Sequence, residues 1–179
     1  MARVMSSENV ELVEAPLSTE QLAARYREMC DDARFSNIPG KVELDLWGRV
    51  LMTPASTNHG RIQGRICQKL AHLGGEALIE AGIATHLGLF VPDVAWASTQ
   101  FMLAHGAETP LTRAPEICIE VLSPSNSVQE MEEKRAAYLA SGALEVWLVY
   151  PKSKRCEFHG AAGALAQSAY PFDWAGVFA

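Results

Sequence analysis

The sequence predicts an α/β (α+β) fold, a mixed β-sheet flanked by α-helices, and three observations support this class. Short β-rich runs alternate with three segments of helical periodicity. One run, Val146–Tyr150, is almost wholly apolar, as a central strand is. The 179 residues are 49% hydrophobic and 20% charged, which suits one domain with a core. Because repeats and linkers are absent, we expect residues 1–16 to form a loose arm and residues 17–179 a single domain.

The first half of the chain is expected to form a helix, a hairpin and a second helix. Ser18 and Gln21 have the spacing of a capping box, which opens the first helix. Gly48 separates two β-rich runs, as in a hairpin turn. After Asn58, apolar residues recur at helical spacing, and Gly74-Gly75 bends or interrupts that helix. These elements span about 18–31, Val42–Trp47 with Arg49–Thr53, and 58–81, where Glu76–Ala81 resumes the second helix.

The second half is expected to consist of short strands with one helix among them. Pro92 lies between two apolar strands, and Ser123-Pro124-Ser125 ends a third. Ser127 and Glu130 form another capping box, and Gly142 ends the helix that follows. The expected elements are strands over Thr85–Phe90, Asp93–Ala97 and Glu116–Leu122, a loop over 98–114 that has room for one helical turn, a helix over 127–141, and strands over Val146–Tyr150 and Arg155–His159.

Charge and composition limit the function classes. The net charge of −6 argues against a protein that binds DNA only through its phosphate backbone, but not against an enzyme whose acidic site holds a divalent cation. The sequence contains no run of 18 apolar residues, which a membrane span would need. The N-terminus has no apolar signal region. The four cysteines form no C-x-x-C pair. We therefore expect a cytoplasmic protein with reduced thiols and no contact with a membrane.

Two carboxylates lie in unexpectedly apolar surroundings. Asp93 begins the apolar run Val94-Ala95-Trp96, and Glu120 lies inside Ile117–Leu122. Burial of an unpaired carboxylate costs at least several kcal/mol, so each residue requires a cation or a raised pKa. One explanation is a structural ion pair. The other is a divalent metal held by both acids from neighbouring strands, and hard oxygen ligands of this kind suit Mg²⁺ or Mn²⁺.

Lys134 is a candidate third member of this group. At about 100° per residue it lies at the border of the apolar face of its helix, which Met131 and Tyr138 help to form. It can reach inward while its stem packs on the sheet. An ordinary surface lysine is the alternative. Beside two metal-binding carboxylates, it would orient water or stabilise charge that develops on a phosphate.

Four segments of the sequence resemble the Uma-two family of bacterial restriction endonucleases, within the PD-(D/E)XK nuclease-like superfamily. They are Val91-Pro92-Asp93-Val94, the stretch from Ala114 to Ser125 with its E-V-L-S-P-S string, Lys134 to Tyr138, and the stretch from Gly142 to Pro151. The resemblance runs from about residue 18 to the C-terminus. It implies a restriction-endonuclease-like fold and a metal-dependent endonuclease that uses Mg²⁺ (or Mn²⁺) to hydrolyse nucleic acid, with DNA as the expected partner.

The resemblance also implies roles for individual residues. Asp93 and Glu120 correspond to the catalytic, metal-binding acids, and Lys134 to the catalytic lysine, moved from a strand to a helix. Leu122 stands two residues after Glu120, where the parent superfamily has lysine. Arg135 cannot act as the base, because it is permanently protonated.

Two further positions are left open by the sequence. Glu43, in the first hairpin, is a possible additional carboxylate, with Asp45 as its competitor. His59 resembles a family position at the start of the second helix, although a histidine at a helix start is often structural.

A basic stripe and an apolar tail suggest partners. Arg61, Arg65 and Lys69 recur every four residues along one helix. This stripe is either a solvated helix face or a track for nucleic-acid phosphates. The last ten residues, 170–179, are rich in aromatic groups. They either fold back onto the chain's own sheet or form a homodimer contact, and we expect a two-fold homodimer.

Two functions thus compete. The first is the metal-dependent endonuclease. The second is a catalytically inactive nuclease-fold protein that binds nucleic acid or a protein partner, since fold alone does not establish activity. The two hypotheses differ in geometry: an enzyme requires Asp93 and Glu120 close enough to share one ion, with the amine of Lys134 nearby.

Overall fold

The computed structural model describes residues 15–35, 41–53 and 56–179, so most of the predicted N-terminal arm lies outside it. The mixed α+β class is confirmed, with two sheets and four α-helices in the described part of the chain. In chain order the elements are α1 (Thr19–Asp31), β1 (Lys41–Asp45), β2 (Val50–Thr53), α2 (Thr57–Leu70), β3 (Glu76–Leu78), β4 (Ile83–Thr85), β5 (Gly88–Phe90), β6 (Val94–Ala97), α3 (Thr99–His105), β7 (Ile117–Val121), α4 (Val128–Ala140), β8 (Glu145–Tyr150), β9 (Arg155–Gly160) and β10 (Gly163–Leu165).

A six-stranded sheet forms the centre of the fold, in the order β10-β9-β8-β7-β6-β3. Strands β7 and β8 are parallel, joined through α4, and the other neighbours are antiparallel. The side chains of these strands alternate between two apolar layers. Helix α2 packs on one face through Ile62, Ile66 and Leu70. Residues of α3 and α4 pack on the other face, among them Phe101, Met131 and Tyr138.

A smaller four-stranded sheet has the order β2-β1-β5-β4 and is antiparallel throughout. Helix α1 covers it and buries Leu22 and Met29 against Leu44, Leu89 and Val91. The predicted capping box is present, because the Ser18 hydroxyl accepts from the Gln21 N–H while the Gln21 side chain accepts from the Ser18 N–H. No helix in the described ranges is both long and apolar enough to span a bilayer.

The predicted return to helix after Gly74-Gly75 is wrong. Residues 76–78 form strand β3, which pairs with β6 at the edge of the six-stranded sheet. Both glycines have positive φ angles, 73° and 82°, which end the helical path and turn the chain onto the sheet. A Cβ on Gly75 would lie 2.3 Å from the carbonyl oxygen of Ala97, so only glycine permits this close approach.

A second correction concerns the strands on either side of Pro92. The sequence places 85–97 in one sheet, but β4 and β5 belong to the small sheet while β6 belongs to the large one. The chain crosses between sheets at Val91-Pro92-Asp93, and this crossing places Asp93 at their junction. Residues 99–105 form a seven-residue helix capped by Ser98, where the sequence suggests a loop with room for one helical turn.

The aromatic tail folds back onto its own chain. Val177 is fully buried, and the rings of Phe172, Trp174 and Phe178 pack in the layer that contains α2 and Trp147. In the structure, residues 170–179 therefore pack on the chain's own sheet, which is the first of the two expected alternatives. The apolar side chains that suggested a dimer contact already have cover within the chain.

Candidate active site at the junction of the two sheets

Asp93 and Glu120 lie side by side in the six-stranded sheet. Val94 of β6 pairs with Ile119 of the antiparallel strand β7. Asp93, which precedes Val94, therefore lies opposite Glu120, which follows Ile119. The expectation that these two strands are neighbours is confirmed. Both carboxylates are buried, with only 3% of Asp93 and 4% of Glu120 exposed.

The ammonium group of Lys41 lies between these two acids. Its Nζ is 2.9 Å from Asp93 Oδ1 and 3.4 Å from Glu120 Oε2, and it donates to the Val91 carbonyl oxygen at 2.8 Å. Burial alone would lower the pKa of Lys41, but the surrounding carboxylates outweigh burial and raise the pKa well above its ordinary value. The two acids thus share one cation, which is a lysine of the chain itself.

The second oxygen of Asp93 is held by hydrogen bonds. Oδ2 accepts from the Val121 N–H at 2.7 Å and lies 3.2 Å from His59 Nε2. Burial raises the pKa of Asp93, but the hydrogen bond from His59, the charge of Lys41 and the Val121 N–H outweigh it and lower the pKa to about 2. Asp93 is therefore an anion at neutral pH.

The second oxygen of Glu120 faces helix α4. Oε1 accepts from the Tyr138 hydroxyl at 2.7 Å and lies 3.5 Å from Lys134 Nζ. Burial raises the pKa of Glu120, and the charges of Lys134 and Lys41 only partly oppose this. Burial and the adjacent Glu120 also raise the pKa of Tyr138, which keeps its hydroxyl a donor.

Lys134 points into the site and is only 3% exposed. Its Nζ donates to Glu43 Oε1 at 2.8 Å, and the same oxygen accepts from the Val91 N–H at 2.8 Å. Burial lowers the pKa of Lys134, but attraction to Glu120 and Glu43 outweighs it and raises the pKa. The ammonium also lies 5.8 Å from the centre of the Phe90 ring. Lys134 is therefore directed at Glu43 and Glu120 and not at solvent.

The structure separates the candidates that the sequence left open. Glu43 is in the site, whereas Asp45 accepts from Trp47 N and Arg49 N and so organises the hairpin turn. His59 reaches the site because Ser56 caps α2 and places its first turn over Asp93.

Lys41 is the residue that sequence reasoning missed. A signal for it exists, since Lys41 and Glu43 are two residues apart on one strand and share a face. Two charges on one face of a half-buried hairpin indicate that the face meets other charges. What the sequence cannot supply is the partner, which lies about fifty residues further along the chain at the crossing between the sheets.

A cleft of about 720 Å³ opens over these groups. Its floor contains the charged cluster, and its rim is formed by Glu80 and by residues from three segments. These are the first turns of α2, the loop Ser123–Asn126 and the turn Tyr150–Ser153. A cavity of this size over buried acids and lysines is typical of a binding or catalytic site.

The donor atoms of the site suit a hard divalent cation. Asp93 Oδ1, Glu120 Oε2 and the Val91 carbonyl oxygen all point at one position, at present that of the Lys41 ammonium. Carboxylate and carbonyl oxygens are the ligands that Mg²⁺ and Mn²⁺ prefer. Within residues 15–35, 41–53 and 56–179, no group of three or more His, Cys, Asp or Glu side chains is arranged to hold a metal ion. The ligands that the chain offers such an ion here are two carboxylates and one backbone carbonyl oxygen.

The basic stripe on α2 contacts the C-terminal segment. Arg61 and Arg65 donate to the Ala179 carbonyl oxygen, and Arg65 donates also to that of Val177. Lys69 pairs with Asp173 at 2.8 Å. A phosphate track along this helix would require these cations to leave their present partners.

Comparisons with known proteins agree with this architecture. A crystal structure of an Anabaena variabilis protein described as a "putative nuclease" superposes with a TM-score of 0.59, covering 86% of this chain and 82% of the other at 16% identity, and so shares the fold. Curated proteins offer no match to the sequence. The Uma2 family, described as "Putative restriction endonuclease", matches residues 23–174. The chain is a member of the Uma2 family.

Proposed function

We propose that the protein is a metal-dependent endonuclease that hydrolyses phosphodiester bonds of nucleic acid, with DNA as its substrate. One observation carries the proposal. Asp93 and Glu120, from neighbouring strands, each direct one oxygen at a single cation position on the floor of a cleft. Lys41 lies at this position, and Lys134 and His59 lie beside the two acids, an arrangement suited to an anionic substrate.

The chemistry follows from the donor set. Mg²⁺ or Mn²⁺ bound by Asp93 and Glu120 would act as a Lewis acid and lower the pKa of a bound water. Lys134, held by Glu43, keeps a positive charge beside Glu120, where it opposes the negative charge that develops on the phosphate. His59 and the Val121 N–H hold Asp93 in place. The groups that would bind the ion and face the phosphate are therefore held in place by their hydrogen bonds and ion pairs.

The substrate must approach a protein with a net charge of −6. Lys152, on the rim, and the polar loop Ser123–Asn126 provide contacts for a phosphate backbone at the cleft itself. Arg61, Arg65 and Lys69 would add to this surface only after release of the C-terminal segment. We place the reaction in the cytoplasm.

A homodimer is part of the proposal for duplex DNA. One site cuts one strand, so cleavage of both strands needs two copies or two encounters. Since the tail is packed on its own sheet, the interface must lie elsewhere on the surface. Sedimentation of the full chain at micromolar concentration tests this, and a monomer there would contradict it.

Cleavage of supercoiled plasmid and of single-stranded DNA, with Mg²⁺ or Mn²⁺, is the direct test. The wild type should nick or linearise the plasmid, and EDTA should abolish this. Asp93→Ala should lower the rate by at least about a hundredfold, since it removes one of the two metal-binding carboxylates and not only an outer-shell partner. Asp31→Asn, an exposed acid in α1, is the matched control and should leave the rate unchanged. Cleavage that persists in Asp93→Ala, or in EDTA, would refute the proposal.

One observation favours the second candidate, a catalytically inactive binding protein. Lys41 already compensates Asp93 and Glu120, so the fold does not need a metal to tolerate these acids. Such a protein would bind DNA in a gel-shift assay equally well with and without metal and would cleave none of the substrates above.

A further inference from the structure

The Lys41 ammonium is coordinated as a metal ion would be. Four oxygens surround its Nζ, those of Val91, Asp93, Glu120 and Glu43, at 2.8, 2.9, 3.4 and 3.9 Å. The Lys41 side chain is 13% exposed and lines the cleft, whereas the side chains of Asp93 and Glu120 are only 4% and 5% exposed. Lys41 thus lies between the acids and the opening of the cleft.

Lys134 is differently placed. Its Nζ contacts oxygens of Glu43 and Glu120 but is not paired with Asp93. Among the cationic side chains of the described residues, only Lys41 contacts both Asp93 and Glu120 at once. The oxygens that it contacts are the ones directed away from Tyr138 and from the Val121 N–H.

A divalent ion at this point would compete with the Lys41 ammonium for the same two oxygens. Mg²⁺ binds oxygen at about 2.0–2.1 Å, and the same two oxygens are within hydrogen-bond range of the ammonium. Charge leads to the same conclusion. In formal charges, the three carboxylates and two ammonium groups sum to −1, and a divalent ion added to them would bring the sum to +1. If Lys41 moves into the cleft, the cluster becomes neutral.

We propose that Lys41 occupies the cation position of the free protein and that a divalent ion binds Asp93 and Glu120 only by displacing it. This inference rests on the proposed function for the identity of the ion. Lys41 is then a positioning residue that sets metal affinity. Once displaced, its flexible stem leaves the ammonium in the cleft that would receive the substrate.

Metal affinity of the full chain without nucleic acid is the first test. Binding of Mn²⁺ to EDTA-treated, dialysed protein is measured by electron paramagnetic resonance of the free ion. Lys41→Met, which keeps the stem and removes the charge, should bind Mn²⁺ at least about tenfold tighter than wild type. Lys152→Met removes a charge from the rim of the same cleft and should change affinity less than about threefold. Lys41→Arg, which keeps a cation, should not bind more tightly than wild type.

A second measurement uses the wild type and does not depend on the folding of any variant. Acetylation by a water-soluble reagent, read by mass spectrometry, should be slow at Lys41 without metal and several-fold faster at saturating Mn²⁺. Lys134 should remain protected in both states, because its pair with Glu43 is retained. Glu120→Gln should abolish the response to Mn²⁺.

The outcomes separate this inference from the function. Unchanged or slower labelling of Lys41 at saturating Mn²⁺ overturns displacement, even if DNA is cleaved. Equal tightening in Lys41→Met and Lys152→Met reduces the effect to general charge and also overturns it. Absence of Mn²⁺ binding in both the wild type and Lys41→Met overturns it as well. If Mn²⁺ speeds the labelling of Lys41 but the protein cleaves no DNA, the inference is supported and the proposed function fails.

Discussion

Charge compensation of buried carboxylates governs the individual residues of the site. Glu43, Asp93 and Glu120 are each at least 96% buried, and every one of them accepts a hydrogen bond from a lysine, a tyrosine or the backbone. Removal of one partner of a buried ion pair leaves an uncompensated charge, which costs more than the pair contributes. The cluster is therefore stable as a set and sensitive to the loss of any single member.

Lys134→Met should destabilise the protein by about 3–5 kcal/mol, because it removes the ammonium that is hydrogen-bonded to the buried Glu43 and leaves only Lys41, 3.9 Å away. Urea unfolding at pH 7 measures the change. The exposed Lys152→Met should shift the free energy of unfolding by no more than about 0.5 kcal/mol. Similar effects of the two variants would show that the Lys134 pair is not structurally coupled to the core.

Stability should fall in acid partly through Asp93. Its pKa is lowered from 3.8 to about 2 in the folded protein, so its contribution is present above pH 4 and is lost as the pH falls toward 2. The contribution is on the order of 2 kcal/mol at neutral pH. In EDTA, the stability difference between wild type and Asp93→Asn should shrink between pH 7 and pH 3. Asp31→Asn serves as the control, and a difference that does not change with pH would contradict the assignment.

At the level of secondary structure, a glycine pair decides whether the segment after α2 is helix or strand. Strand β3 can pair with β6 because Gly75 has no Cβ. The Ala97 carbonyl oxygen lies close to the position that a Cβ would occupy. Gly64 lies in α2 with open space around it and no unusual φ. The two positions therefore respond in opposite directions to the same substitution.

Gly75→Ala should cost about 2 kcal/mol or more, because it combines a positive φ with a clash against backbone. Gly64→Ala should stabilise the protein by about 0.5–1 kcal/mol, as expected of alanine in an exposed helix interior. Thermal unfolding followed by circular dichroism compares both variants with wild type. A Gly75→Ala protein as stable as wild type would mean that β3 can leave the sheet edge without loss.

For the molecule as a whole, the tail is what completes the second apolar layer. Helix α2 covers one part of the large sheet, and residues 170–178 cover Trp147 and its neighbours. Glu145 binds this segment to the sheet, because it accepts from Ser168 Oγ and from the Ala169 N–H. The junction of the two sheets, on the side of Asp93 and Glu120, remains accessible through the cleft.

A chain that ends at Ala169 should lose several kcal/mol of stability, since burial of each large apolar side chain is worth about 1.5–3 kcal/mol. Its exposed sheet face should also increase self-association, which sedimentation at micromolar concentration detects. Asp173→Asn breaks only the exposed pair with Lys69 and should cost less than about 1 kcal/mol. A truncated chain that matches the full chain in melting temperature would show that the tail contributes no packing.

Local information accounts for much of the fold and for part of the site. Capping boxes and helical periodicity predict α1, α2 and α4. Asp93 and Glu120 can be identified because each is a single acid in an apolar strand region, and burial of a charge is costly. Other features depend on pairings between residues far apart in the chain. Lys41 meets Asp93 only because two sheets join, Glu76–Leu78 is a strand only because β6 has a free edge, and the basic stripe binds the tail only because both lie over the same sheet. Such contacts lower the free energy only once the whole chain is folded, so no short stretch of sequence records them.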